Sequence, residues 1–315
     1  MSTTTHRPPL HSPPSPPAGL PPESAHGGVW AAFAVVALLS LGSLPLTTWA
    51  LSVSAAAALV SVVLGLRRTG RYVRPVLDRR DLVAVVALYA AVTAAFRTAF
   101  VGFGTGRVLG LFLWFAGGMV LGVAGPVVYT VWLRRRALAT LGIGRMHMRS
   151  TLAFGLVLAA VQFGMTLWNV RLPAPIDWIP LLVMSLTVGV FESVFFRGFV
   201  QQRLESSLGA GPGVAVAAGM YALYHVGYGM GMDEMTFLFG LGVVYAIAFR
   251  VVGNVLVLWP LLTPLGAFFN NLEAGDITLP WAAIAGFVDV LAVMATVLWL
   301  ATRHERGRPR VTAAP

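Results

Sequence analysis

The stretch FESVFFRGFVQQRL occupies Phe191 to Leu204. It lies inside a long apolar run, yet it carries Glu192 and Arg197, two charged groups five residues apart. Ionisable side chains within a membrane span are rare and by default mark function. Whether this run crosses a membrane therefore decides the fold.

The surrounding sequence answers that question. The chain has 315 residues, 57% hydrophobic and 11% charged. A soluble domain carries about 25% charged residues. The composition is that of an integral membrane protein, and no polar stretch is long enough to fold as a separate soluble domain. There is no cysteine, which excludes disulfides, thiol catalysis and thiolate metal sites.

The net charge of +10 raises the question of nucleic acid, and its distribution argues against it. All 22 basic residues are arginine. They cluster between apolar runs: Arg67 to Arg80, Arg134 to Arg149, and Arg303 to Arg310. Short basic clusters beside spans follow the positive-inside rule, and attraction to anionic lipid headgroups is reason enough for them. The expected partner surface is a bilayer with anionic headgroups, and nucleic acid is not expected.

Apolar runs near the roughly 20-residue span length recur from Gly28 onward. About ten helices are expected. Residues 28–66 hold two, broken near Pro45. Then come 82–103, 108–133, 151–170, 178–200, 212–230, 235–252, 254–269 and 280–302. Residues 1–27 form a Pro-rich tail with four Pro-Pro pairs, which cannot build a core. With the N-terminus placed in the cytoplasm, 18 of the 22 arginines fall on that side. The fold class is therefore all-α: a polytopic membrane helix bundle in the cell membrane, with both termini cytoplasmic. Four regions result: the tail 1–27, N-terminal helices over 28–133, a core over 134–302, and a basic tail over 303–315. Gly118 and Gly122 have the spacing that permits close helix approach.

Arg97, Glu192, Arg197, His225 and Asp289 are ionisable residues well inside predicted spans. Depth arithmetic at ~1.5 Å per residue puts Glu192 about 14 Å, and His225 about 20 Å, from the cytoplasmic ends of their helices. These helices are neighbours joined by a loop over 201–211, so a carboxylate–imidazole contact is reasonable and suits Glu192 to general-base work. Arg97 and Asp289 lie at about 9 and 13 Å from the outer face by the same arithmetic, a depth that suits a structural ion pair. On an ideal α-helix Glu192 and Arg197 point about 140° apart, so they are not expected to pair with each other. Pro260 and Pro264 mark irregular backbone, which at membrane depth is tolerated where protein or a polar cavity shields it.

Three elements together resemble the CPBP family of intramembrane proteases, also called the CAAX-protease and bacteriocin-processing or Abi family. ESVFFRG is similar to its E-E-x-x-x-R-G element, with Glu192, Arg197 and Gly198 in register. YALYH is similar to its aromatic-x-x-x-His element, with Tyr221 and His225. GNVLVLWPLLTPLGAFFNN resembles its closing element, whose final polar residue falls on Asn270 or its neighbour Asn271. The segment LATLGIGRMHMRS also resembles what precedes the family's core.

The resemblance implies an all-helical core over roughly 138–300. It implies an endopeptidase acting on membrane-associated proteins or peptides. A water activated by Glu192 and His225 would attack the peptide carbonyl, with Asn270 or Arg197 as the oxyanion donor. Two residues depart from the pattern: Ser193 stands for the family's second glutamate, and Gly266 for its last histidine. One histidine and one carboxylate are too few for a zinc site, which takes about three protein ligands, so no metal or other cofactor is expected. The alternatives are a catalytically degenerate relative that binds membrane-protein partners, and a proton-coupled transporter using Glu192 and Asp289.

Overall fold

The computed structural model describes residues 75–104, 107–144, 148–166, 174, 178–273 and 281–307. The Pro-rich tail, the two helices expected over 28–66 and the chain beyond 307 lie outside the described residues.

Among the described residues the regular structure is entirely helical. Helix α1 spans Arg79–Phe103 and α2 Val108–Leu133. A 3-10 turn at Leu138–Leu141 leads to α3, Met148–Thr166. Helix α4 covers residues 178–208, and α5 covers Ala210–Leu223, followed by a 3-10 turn at Tyr224–Tyr228. Helix α6 is Met232–Val252, α7 is Leu262–Glu273 and α8 is Trp281–Gly307. Arg79–Phe103, Val108–Leu133, Leu181–Leu208 and Glu234–Val252 are long and apolar enough to cross a membrane. Their outward faces carry large apolar side chains such as Val83, Val86, Phe112 and Leu182. Apolar faces on this scale belong in lipid.

Helix α4 is the hub, packing against α2, α5, α6, α7 and α8. Its phenylalanines at 191, 195, 196 and 199 are core residues, each at most 2% exposed. Lipid is as apolar as phenylalanine, so this burial is stabilised by close contact rather than by exclusion of water. Gly122 makes the contact possible on the α2 side. A Cβ there would lie 2.3 Å from the Phe191 ring.

Three expectations are corrected. The loop expected over 201–211 is mostly helix: α4 runs on to Leu208, and Gly209, with φ +89°, turns directly into α5. Gln201 holds this extension, donating to Glu205 Oε1 at 2.8 Å and to the Ala246 carbonyl at 2.9 Å. Arg250 then pairs with Glu205. The single helix expected over 254–269 is split into a 3-10 turn at Val255–Val257 and α7. Pro264 sits in the first turn of α7, where a missing N–H costs nothing. The ion pair between Arg97 and Asp289 does not form. Asp289 is exposed on α8, while Arg97 Nη1 donates to the Val226 carbonyl at 3.1 Å.

Several of the arginines expected on the headgroup face also pair with carboxylates. Asp78 caps α1, accepting from the N–H groups of Arg80 and Asp81 at 3.1 and 3.2 Å. It also pairs with Arg134. Asp81, only 1% exposed, takes Arg136 at 2.6 Å, Arg134 at 3.2 Å and Arg203 at 3.6 Å. This cluster ties the start of α1 to the end of α2 and to α4.

Candidate active site

The interior of α4 departs from α-geometry just after Glu192. Ser193–Gln201 is π-helical, and every residue of that segment is buried. A local cause is present. The Ser193 hydroxyl donates to the Gly189 carbonyl at 2.7 Å, and Thr263 Oγ1 reaches the same oxygen at 3.2 Å. A side-chain hydroxyl on the i−4 carbonyl competes with the backbone ladder and bends helices.

The widened turn changes the relation of the two charges. Residues five apart face one another in π-helical repeat, so the 140° separation of an ideal α-helix does not apply. Both now look toward Tyr221. Its hydroxyl donates to Glu192 Oε2 at 3.3 Å, and the Arg197 guanidinium carbon stands 4.9 Å above its ring centre. No salt bridge joins Glu192 to Arg197 among the described residues.

Glu192 is 7% exposed. Its other oxygen accepts a 2.5 Å hydrogen bond from the Tyr224 hydroxyl. Arg197 is 1% exposed, and its two terminal nitrogens have no hydrogen-bond partner among the described residues. A buried guanidinium of this kind is costly unless something supplies acceptors. The face of Tyr221 supplies part of the compensation.

His225 is buried at the end of α5, in the 3-10 turn. Nδ1 lies 2.8 Å from the Tyr221 carbonyl oxygen. A carbonyl only accepts, so Nδ1 carries a proton, which places the lone pair of the neutral tautomer on Nε2. The imidazole centre is 4.0 Å from that of Tyr224. Glu192 and His225 make no hydrogen bond or ion pair with each other. They are joined through Tyr221 and Tyr224, each of which touches both. Two outer contacts fix this turn: Arg97 on the Val226 carbonyl, and Trp114 Nε1 donating to the Tyr228 hydroxyl at 3.2 Å.

Ser193, in the place of a second carboxylate, points away from Glu192 toward α7, where Thr263 Oγ1 is 3.2 Å away. It is a seam residue between α4 and α7. Gly198 has a similar task, because a Cβ there would lie 2.4 Å from the Leu141 carbonyl oxygen. That contact draws the Leu138–Leu141 turn against the site helix. Gly142 and Asn254 complete the clasp: the Gly142 carbonyl accepts from Val255 N at 3.0 Å, and Asn254 donates to the Gly144 carbonyl at 3.1 Å. Asn270 lies on α7 one turn beyond Gly266, and its side chain is outside the described residues. Gly266 itself faces Gln162 of α3 and Tyr245 of α6: a Cβ would meet them at 3.1 and 3.3 Å. Among the described residues no three of His, Cys, Asp and Glu gather at one point.

Of the residues singled out in the sequence, Glu192, Arg197, His225 and Tyr221 come together here; Tyr224, Tyr245 and Gln162, which pack around them, were not singled out. Tyr224 was within reach, since it stands three residues after Tyr221 in YALYH, on the same helix face. Tyr245 and Gln162 come from separate helices and carry no local signal.

No curated protein and no solved structure matches the chain. A protein-family model does, over residues 173–261, which hold Glu192, Arg197, Tyr221, Tyr224 and His225. In that stretch the chain is similar to the Rce1-like type II CAAX prenyl endopeptidases.

Proposed function

We propose that this membrane protein is an endopeptidase in which Glu192 and His225 activate a water within the bilayer-embedded helices. The observation that carries the reading is the meeting of a buried carboxylate, imidazole and guanidinium around Tyr221, inside the stretch matched by a peptidase family. In the proposed cycle water takes the place of Tyr221 on Glu192 Oε2, the weaker of the two hydroxyl bonds at 3.3 Å against 2.5 Å. Glu192 accepts one proton of the water, while Nε2 of His225 accepts a hydrogen bond from the other. As the water oxygen bonds to the carbonyl carbon, the carbonyl π-electrons move onto oxygen. Arg197, whose two terminal nitrogens have no acceptor among the described residues, donates to that oxyanion. Collapse breaks the C–N bond, and the proton held by Glu192 passes to the leaving amine. Asn270 is proposed as a second donor.

The substrate is proposed to be a membrane-associated protein or peptide, and the family description makes a prenylated C-terminal peptide the first probe. Purified protein in detergent micelles is expected to cleave a farnesylated, fluorogenic peptide ending in a CAAX sequence. Glu192→Gln is expected to slow turnover by about 10²–10⁴-fold, the usual contribution of a general base. Cleavage by that variant at the wild-type rate overturns the reading.

A further inference from the structure

The Gly266 position holds more than a missing side chain. Its outward direction is filled by two polar groups from other helices. Tyr245 is 2% exposed, and its hydroxyl lies 3.3 Å from where a Cβ at 266 would stand. Gln162 brings its amide to the same place at 3.1 Å. The amide fits the first turn of α7 in one orientation: nitrogen donating to the Leu262 carbonyl at 3.1 Å, oxygen accepting from the Gly266 N–H at 3.2 Å. Its nitrogen then also donates to the Tyr245 hydroxyl oxygen at 3.2 Å. The amide oxygen also lies 3.2 Å from the same hydroxyl and accepts from it, so the Tyr245 proton rests on Gln162 and reaches a substrate by turning about the C–O bond while the amide N–H still holds the phenol oxygen.

The Tyr245 ring reaches the Glu192 side of the core. Its centre is 6.4 Å from that of Tyr221, in an edge-to-face arrangement. Tyr245 also lies within electrostatic reach of both Glu192 and Arg197. Gln162, Tyr245, Tyr221 and Glu192 therefore form one row of contacts through the bundle, crossing from α3 to α6, α5 and α4, hydrogen-bonded at its two ends and joined by aromatic rings in the middle.

We propose that Tyr245 is a further catalytic residue, whose hydroxyl donates a hydrogen bond to the substrate carbonyl oxygen from the place an imidazole at 266 would occupy. No bond to the tyrosine forms or breaks. Its proton stays on the phenol while water adds to the carbonyl carbon, and the hydrogen bond shortens as charge collects on the oxygen. Gln162 is the positioning residue that turns the hydroxyl. The absence of a side chain at 266 is what lets that hydroxyl approach. This rests on the hydrolase reading above.

The test compares wild type, Tyr245→Phe and Glu192→Gln on the farnesylated CAAX peptide, and measures binding of a phosphinate version of that peptide, which mimics the tetrahedral species. Tyr245→Phe is expected to lower kcat about a hundredfold, the usual loss for one oxyanion donor, with KM within twofold. Phosphinate affinity is expected to fall by a similar factor while substrate affinity holds. A structural role instead weakens substrate and phosphinate equally, or leaves kcat near wild type, and either result overturns the assignment of Tyr245. A wild type that cleaves nothing overturns the hydrolase reading and this inference together. Normal wild-type cleavage with an unaffected Tyr245→Phe overturns only the inference.

Discussion

Glu192 is defined by its neighbours more than by its position. Two tyrosine hydroxyls hold its oxygens, at 2.5 and 3.3 Å, and the shorter comes from a residue the motif does not require. Glu192, Arg197 and His225 were legible because charged groups are conspicuous in an apolar run. Their relation was not, because it depends on a π-turn started by hydroxyls on the Gly189 carbonyl. Thr263, one of those donors, is seventy positions from Ser193. Ser193 itself changes meaning. It looks like a lost catalytic carboxylate, and it is a fully buried link between α4 and α7. Ser193→Glu is therefore not expected to improve catalysis. The introduced carboxylate meets a carbonyl oxygen and one hydroxyl, and burying it there should cost about 3–5 kcal/mol. A fall in the thermal midpoint of the purified protein, without faster cleavage, is the expected result. Faster cleavage at unchanged stability contradicts this placement.

At the scale of elements, glycine contacts decide which segments meet. Gly198 lets the Leu138–Leu141 turn touch α4, and Gly122 lets α2 reach Phe191. Gly198→Ala forces a Cβ to 2.4 Å from a backbone oxygen, with no flexible side chain to yield. Overpacking of this kind costs about 1–3 kcal/mol. Because the turn presses on the π-helical segment, the substitution is also expected to slow cleavage by about tenfold through misplacement of Arg197 and Glu192. Unchanged stability and turnover contradict the contact. Hydropathy located most helices within a few residues, since long apolar periods are a strong signal. It failed at 201–208 and at 254–261. Polar residues ended the first pattern although Gln201, Arg203 and Glu205 find buried or half-buried partners on other helices. Hydropathy runs through 254–269 without a gap, and there only Pro260 and Pro264 mark the irregular backbone.

Over the whole molecule, the described helices form one bundle around α4, held at one end by ions and in the middle by aromatic rings. The ion cluster was read from sequence as surface arginine. Asp81 gathers Arg134, Arg136 and Arg203 because helix ends far apart in the chain come together there. Asp81→Ala leaves buried Arg203 without its carboxylate, and a loss of about 3–5 kcal/mol is expected. The midpoint of unfolding in micelles reports it. The site lies elsewhere on α4, so the residual folded protein is expected to keep its KM.

The central claim is that Glu192 and His225 act on one water although no bond joins them. A double-mutant cycle on turnover of the farnesylated peptide tests this most directly, using Glu192→Gln, His225→Gln and the pair. Groups that act as a unit are strongly non-additive. The double variant is predicted to be about as slow as the slower single variant. Losses that multiply across the cycle, or a single variant that cleaves at the wild-type rate, contradict the account.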